Sequence, residues 1–226
     1  MNEQDTTRPD RPVSVEMWSD LGCPWCHIGK HRLERAIAAR PDAERFVIRL
    51  RSFELNPDAS RTPETIETAF RRSHGGDAET VLRAEKHIQA LALREGLSFS
   101  VDRRNANTGD VHRVTHHAEE AGRGREFFSL VQDRFFAGDI DPFDPEVLVQ
   151  IAVEVGLSRE RVREVLAGDE YAEAVRADRR EGRELGAQGV PFVVVDGRLA
   201  ASGAQSVDAY ARMLDQAVPT VSAGVA

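Results

Sequence analysis

Val13-Ser14-Val15-Glu16-Met17-Trp18-Ser19-Asp20-Leu21-Gly22-Cys23-Pro24-Trp25-Cys26 is the stretch from which the fold can be read. Val13, Val15 and Met17 alternate with the polar Ser14 and Glu16, the period-two pattern of a half-buried strand. Gly22 and Pro24 interrupt it. From Cys26 the spacing changes: Cys26, Gly29, Leu33, Ala36 and Ile37 recur at three and four residues, one face of a helix. Pro24 suits the first turn of that helix, where its missing N–H costs nothing, and Pro41 lies beyond its end. A second strand pattern, Phe46-Val47-Ile48-Arg49-Leu50, continues to Phe53. Residues 13–55 are therefore expected to form a β-α-β unit with both cysteines at the strand-to-helix turn.

Farther along, no convincing strand run occurs between Thr62 and Gly186. Asp77 to Glu95 reads as a helix, capped at Asp77 and ended by Gly96. Further helical patterns lie near 109–121, 125–137, 145–155, 158–167 and 170–185, separated by Gly, Pro and Asp. Strand character returns in Val190-Pro191-Phe192-Val193-Val194-Val195, followed by the hairpin signal Asp196-Gly197 and by Arg198-Leu199-Ala200. A closing helix is expected from Val207 to Ala217. Neither half-sheet can bury its faces alone, so the two ends must join into one sheet. The expected organisation is an α/β unit of residues 13–60 plus 186–217, a helical insertion of residues 61–185, and flexible ends at 1–12 and 218–226.

The chain has 226 residues, 41% of them hydrophobic, which is enough for a substantial core and excludes wholesale disorder. With 30 Lys+Arg against 38 Asp+Glu the net charge is −8, which argues against a nucleic-acid or anionic-membrane binder. No stretch approaches the ~20 apolar residues of a membrane span. The polar leader Met1–Pro12 does not read as a signal peptide. The expected location is the cytoplasm, where a lone C-x-x-C is more often redox-active or metal-binding than structural.

Disulfide exchange needs an attacking thiolate and a second thiol near enough to resolve the mixed disulfide. Cys23 at a helix N-terminus and Cys26 one turn inside satisfy both demands, and the helix field favours a negative sulfur on Cys23. Lys30, Arg32, Arg35 and Arg40 against Glu34 alone add local positive charge, to which His27 and His31 could contribute. Cys23 is therefore expected to be more acidic than a free thiol. A zinc half-site is the competing reading. It lacks two further ligands: His27 and His31 lie off the Cys26–Leu33 face, and His112, His116 and His117 complete no known pattern. No metal is expected. An inert buried pair is the third reading, and the strand–turn–helix context favours redox chemistry. Pro191 either opens its strand in the trans form or forms a cis bond with Val190 facing the cysteines; the residues alone leave this open.

Cys23-Pro24-Trp25-Cys26 after a strand, a long helical insertion, and Gly189-Val190-Pro191-Phe192 before a hairpin resemble the DsbA-like thioredoxin superfamily. Four segments in order resemble more narrowly its cytoplasmic FrnE-type branch: Ser19 to Lys30, Phe53-Glu54-Leu55-Asn56-Pro57, Asn107-Thr108 with His112-Arg113, and Gly186 to Phe192. The resemblance runs from Val13 to Ala217.

It implies a thioredoxin fold with an inserted all-helical domain, and thiol-disulfide oxidoreductase activity on a protein or small-molecule thiol or disulfide. It favours cis Pro191, with the Val190 backbone pairing with a substrate strand and Pro24 and Trp25 beside the substrate. Asn107, His112 and Arg113 are candidate pocket residues. The buried acid that many thioredoxin-like enzymes carry six residues before the first cysteine is replaced here by Met17. Asp20 is the nearest substitute for proton transfer. The extra C-terminal cysteines of some FrnE-type members are missing. No cofactor is required, and glutathione is a candidate co-substrate through Asn56 and the Gly203-Ala204-Gln205-Ser206 loop. The alternative function is a glutathione-dependent isomerase or transferase, similar to 2-hydroxychromene-2-carboxylate isomerase and kappa-class transferases, which typically carry Ser in place of the first cysteine. A non-catalytic binding or chaperone module is the third. Oligomeric state is not legible.

Overall fold

The computed structural model describes residues 11–218. Most of both expected flexible ends therefore lies outside the described residues. The chain opens with β1 (Val13–Ser19), α1 (Pro24–Ala38) and β2 (Phe46–Ser52), the β-α-β unit that the alternation and the change of period require. It closes with β5 (Phe192–Val195), β6 (Leu199–Ser202) and α9 (Val207–Ala217). The four strands form one sheet in the order β2-β1-β5-β6. β1 pairs parallel with β2 and antiparallel with β5, and β5 with β6 antiparallel. Asp196 and Gly197 both have positive φ, 55° and 65°, the turn geometry that matches the twist of a tight hairpin.

Period-two burial sorts the sheet faces. Val13, Val15, Met17, Val193 and Val195 pack against Leu33, Ala36 and Ile37 of α1 and Tyr210 and Leu214 of α9. On the opposite face Trp18, Phe192 and Val194 gather with Phe53 and Ala187. Each such fully buried large side chain contributes on the order of 1.5–3 kcal/mol relative to exposure.

Between β2 and β5 lie α2 (Ile66–His74), α3 (Ala78–Arg94), α4 (Gly109–Glu120), α5 (Gly124–Ala137), α6 (Pro145–Glu154), α7 (Arg159–Ala167) and α8 (Ala172–Glu184). Their shared core is aromatic and branched: Phe127, Phe128, Val131, Phe136, Leu148, Ile151 and Val162 are all fully buried. Two features depart from the sequence reading. The insertion is not wholly helical, because β3 (Glu64–Thr65) and β4 (Arg104–Asn105) form a two-residue antiparallel ladder. Helix α2 was also not expected. Its nine residues hold too short an apolar face for periodicity to show, although Thr65 caps it by accepting from the Thr68 N–H.

The insertion is fastened to the sheet by polar ties. The Trp18 indole donates to the Asp178 carbonyl at 2.7 Å, and the Asp178 carboxylate accepts from the Ser52 N–H at 2.8 Å and from Arg51 at 2.9 Å. At the turn beyond β1, the Gln132 side chain donates to the Asp20 carbonyl at 3.3 Å. These contacts fix α5 and α8 against the carboxyl ends of β1 and β2.

Candidate active site

Cys23 is the N-cap residue of α1, with extended backbone (φ −86°, ψ 109°) and Pro24 as the first helical residue. Its carbonyl accepts from the Cys26 N–H at 3.0 Å and the His27 N–H at 3.3 Å, so the first turn winds around it. Both cysteines are free thiols. Both are buried, but Cys23 keeps 5% of its surface open and Cys26 none, an outer residue and a fully sealed inner one. Trp25 between them is 39% exposed.

The Val190–Pro191 bond is cis. It brings the Val190 carbonyl to 3.5 Å from the Cys23 sulfur, with the thiol as donor. The Pro191 carbonyl accepts from the Gly203 N–H at 2.7 Å, joining this bend to the loop that carries Gln205. Gly29 permits the approach from the other side: a Cβ there would meet Pro191 Cγ at 3.0 Å and Ala204 at 3.4 Å.

Behind the pair, burial pushes the Cys26 thiol well above the ordinary range, and contact with the Cys23 sulfur adds to this. The backbone N–H of Asp20 and the hydroxyl of Ser19 face the Cys26 sulfur and draw it partly back. Thus Asp20 reaches the inner cysteine through its backbone. Its carboxylate turns toward the insertion, accepting from the Leu55 N–H at 2.8 Å and standing 3.2 Å from His112 Nε2. Burial alone would raise the Asp20 carboxyl, but the His112 hydrogen bond and charge, Leu55 and the Thr108 hydroxyl more than offset it and hold it below its usual range.

The positive charge of α1 and of the turn after it is largely spoken for. Lys30 pairs with Asp133, Arg32 and Arg35 with Glu95, and Arg40 with Asp42 and Asp215. His27 corrects the sequence reading: it is buried, stacked on Phe136 with ring centroids 4.8 Å apart, and 3.4 Å from Asp133. Burial pushes its pKa down despite Asp133, so it adds no charge near neutrality. The signal missed was that α1 packs on two sides, with α9 and with α5.

The other expected pocket residues separate. Asn107 and Arg113 line a cavity of about 360 Å³ together with Glu54, Pro57, Arg61, Gly109 and Arg176. Asn107 spends its side chain within the scaffold, donating to the Pro57 carbonyl and accepting from the Gly109 N–H. The Arg113 guanidinium is occupied by Asp110 and by the carbonyls of Val165, Gly168 and Glu170. His112 is buried beside Asp20 and does not line the cavity. Asn56 is exposed next to it, and Gln205 lies apart, near Pro191, with its amide donating to the Ser202 carbonyl at 2.6 Å. Glu54, which the sequence reading quoted within a segment but did not single out, is a lining residue. Among the described residues no group of three or more His, Cys, Asp and Glu is placed to hold a metal ion, and no helix is long and apolar enough to cross a membrane.

A family model described as DSBA-like thioredoxin domain matches residues 14–215. A probable DsbA oxidoreductase from Streptomyces coelicolor, SCO1869, is 40% identical and superimposes with a TM-score of 0.86 over 91% of this chain and 89% of that one. The uncharacterized protein YwbO of Bacillus subtilis (strain 168) is 25% identical over 205 residues, 89% of this chain and 96% of its own. The cytosolic disulfide reductase DsbM of Pseudomonas aeruginosa, solved with GSH, shares the fold at 17% identity, with a TM-score of 0.59 over 90% of this chain and 98% of that one.

Proposed function

This chain belongs to the DSBA-like thioredoxin domain family, and from that premise we propose that it is a thiol-disulfide oxidoreductase whose working groups are Cys23 and Cys26. The observation that carries this reading is the asymmetry of the two sulfurs: one at the helix mouth beside the Val190 carbonyl, the other sealed behind it. Cys23, as thiolate, attacks one sulfur of a substrate disulfide and the other sulfur departs as a thiol. Cys26 then loses its proton and attacks Cys23, a Cys23–Cys26 disulfide forms, and the second substrate thiol leaves. Two thiols of the protein are oxidised and one substrate disulfide is reduced; the steps run in reverse when the protein donates the disulfide.

The backbone at Val190, the exposed Trp25 and the half-buried Pro24, with the buried Pro191 holding the bend, supply the substrate surface. Three donors occupy the Asp20 carboxylate, so we assign it the task of holding the turn over Cys26, in place of the proton transfer that the sequence suggested. Glutathione remains the candidate small thiol, supported by the GSH-bound DsbM, and the same relative supports a cytoplasmic location. An insulin-reduction assay tests the proposal. Wild-type protein with a dithiol reductant accelerates precipitation of the insulin B chain, and Cys23→Ser does not. An unaltered rate in Cys23→Ser overturns it.

A further inference from the structure

Glu54 leaves the carboxyl end of β2 two residues beyond Ser52, while Cys23 leaves the adjacent parallel strand four residues beyond Ser19. Both therefore emerge at the same edge, where open α/β sheets bind ligands. Only 8% of the Glu54 surface remains accessible, and among the described residues its carboxyl takes no hydrogen bond or ion pair; His112, Arg179 and Arg176 act on it only at longer range. A largely buried carboxylate that no donor contacts is under-satisfied, and its location in a cavity wall points to a partner that enters from the cavity. The first residue of α4, Gly109, makes the place: a Cβ there would meet Glu54 Oε1 at 3.1 Å and Asn107 Oδ1 at 2.9 Å. The Gly109 N–H is already given to Asn107, so the helix end lends Glu54 a favourable field but not that bond.

The remaining walls define the ligand. Arg113 is consumed by carbonyls, but Arg61 and Arg176 stand at the rim, mostly exposed, with single carboxylate contacts to Asp110 at 3.3 Å and Glu173 at 2.8 Å. Pro57, Ala59, Ala172 and Val175 give the cavity an apolar lining between these charges. About 360 Å³ lies in the range of small-molecule sites. Burial pushes the Glu54 carboxyl up and Asp20 adds to this, while His112, Arg179 and Arg176 offset it only in part, so a cation brought against Glu54 still favours its charged form.

We infer that this cavity receives the amino-acid end of a small disulfide or thiol, with the ammonium on Glu54 and the carboxylate toward Arg61 and Arg176. The inference rests on the oxidoreductase reading and narrows its substrate class to zwitterionic, amino-acid-type disulfides. Reduction of cystine then follows the balance given above, two protein thiols yielding one protein disulfide and two cysteines.

The test is a charge scan in single turnover with the reduced protein. Four disulfides are compared: cystine (both charges), cystamine (ammonium only), 3,3′-dithiodipropionate (carboxylate only) and bis(2-hydroxyethyl) disulfide (neutral). Cystine is expected to react fastest. Glu54→Gln, near-isosteric, is expected to lower the ratio of the cystine rate to the hydroxyethyl disulfide rate at least tenfold, and the cystamine ratio with it, while the dithiodipropionate ratio holds. A second arm avoids redox chemistry: S-methylcysteine binding to Cys23→Ser, measured by calorimetry, should be lost in the Glu54→Gln version of that variant. Equal slowing of all four disulfides by Glu54→Gln, no charge preference in the wild type, or unchanged S-methylcysteine binding would overturn the cavity assignment. If Cys23→Ser reduces every disulfide as fast as wild type, the oxidoreductase reading fails, and the calorimetric arm still decides the site.

Discussion

The Cys23 thiol donates to the Val190 carbonyl at 3.5 Å, although 167 residues separate them. The contact joins the two ends of the chain across the β1–β5 pairing and puts the outer sulfur beside the half-buried bend that precedes β5. The expected consequences follow from how tightly that junction is built and from what lies behind it.

Gly29 sets the spacing between α1 and the Pro191 bend. In Gly29→Ala the new methyl meets Pro191 Cγ at 3.0 Å and Ala204 at 3.4 Å, so the Pro191 bend beside Cys23 must give way. Overpacking of this kind costs about 1–3 kcal/mol. Urea unfolding is expected to show that loss, and insulin reduction is expected to fall more than the small stability change explains. Full activity would mean that the spacing is not used.

Cys26 is sealed, and burial holds its thiol up. In Cys23→Ser, iodoacetamide labelling of Cys26 is expected to stay slow through neutral pH and to rise only in the alkaline range. Ser19 has a buried hydroxyl with no other hydrogen-bond partner, placed to donate to the Cys26 thiolate. Adding Ser19→Ala should therefore move the labelling curve to still higher pH. A curve unchanged by Ser19→Ala would remove that hydroxyl from the account.

Asp20 carries a pH signature. Its folded carboxyl lies below the unfolded value of about 3.9, because His112, Leu55 and Thr108 favour the charged form against burial. The stabilisation is therefore present above pH ~4 and is lost as pH falls through the lower, folded value. Asp20→Asn removes the charge that these three hydrogen bonds favour and is expected to cost about 2 kcal/mol at pH 7. That deficit should shrink toward zero as unfolding is followed into acid. A deficit that is constant with pH would show that charge is not its source.

Trp25, 39% exposed beside the sulfur, offers area to a substrate and little to the core. Trp25→Ala should leave the melting temperature within about a degree or two and raise KM for a protein substrate several-fold, as loss of an aromatic contact does. A collapse in stability instead would mark it as a packing residue.

The sheet was legible because its strands carry their own signatures. Val13-Val15-Met17 alternates, Asp196-Gly197 makes the turn, and Pro24 marks where a helix begins. The cysteine chemistry was legible for the same reason, since both sulfurs belong to one short stretch. What escaped involves partners distant in sequence. Asp20 and His112 are 92 residues apart, and nothing in either segment states that one claims the other. Similarly, Arg113 looked free to meet a ligand until α7 and the loop after it delivered four carbonyls to it. Glu54 was read as part of a family segment, because the space for its carboxyl depends on Gly109, more than fifty positions away. His27 was misplaced for a simpler reason: a single helical face was assumed, and α1 is covered on two.

Division of labour between the two sulfurs is the claim on which the functional reading stands, and trapping tests it most directly. Cys26→Ser protein is mixed with an excess of oxidised insulin fragments or hydroxyethyl disulfide, quenched in acid and analysed by mass spectrometry. A stable adduct carried on Cys23 is the predicted result, with none in Cys23→Ser. An adduct on Cys26 in Cys23→Ser, formed as fast as the one on Cys23, would contradict it.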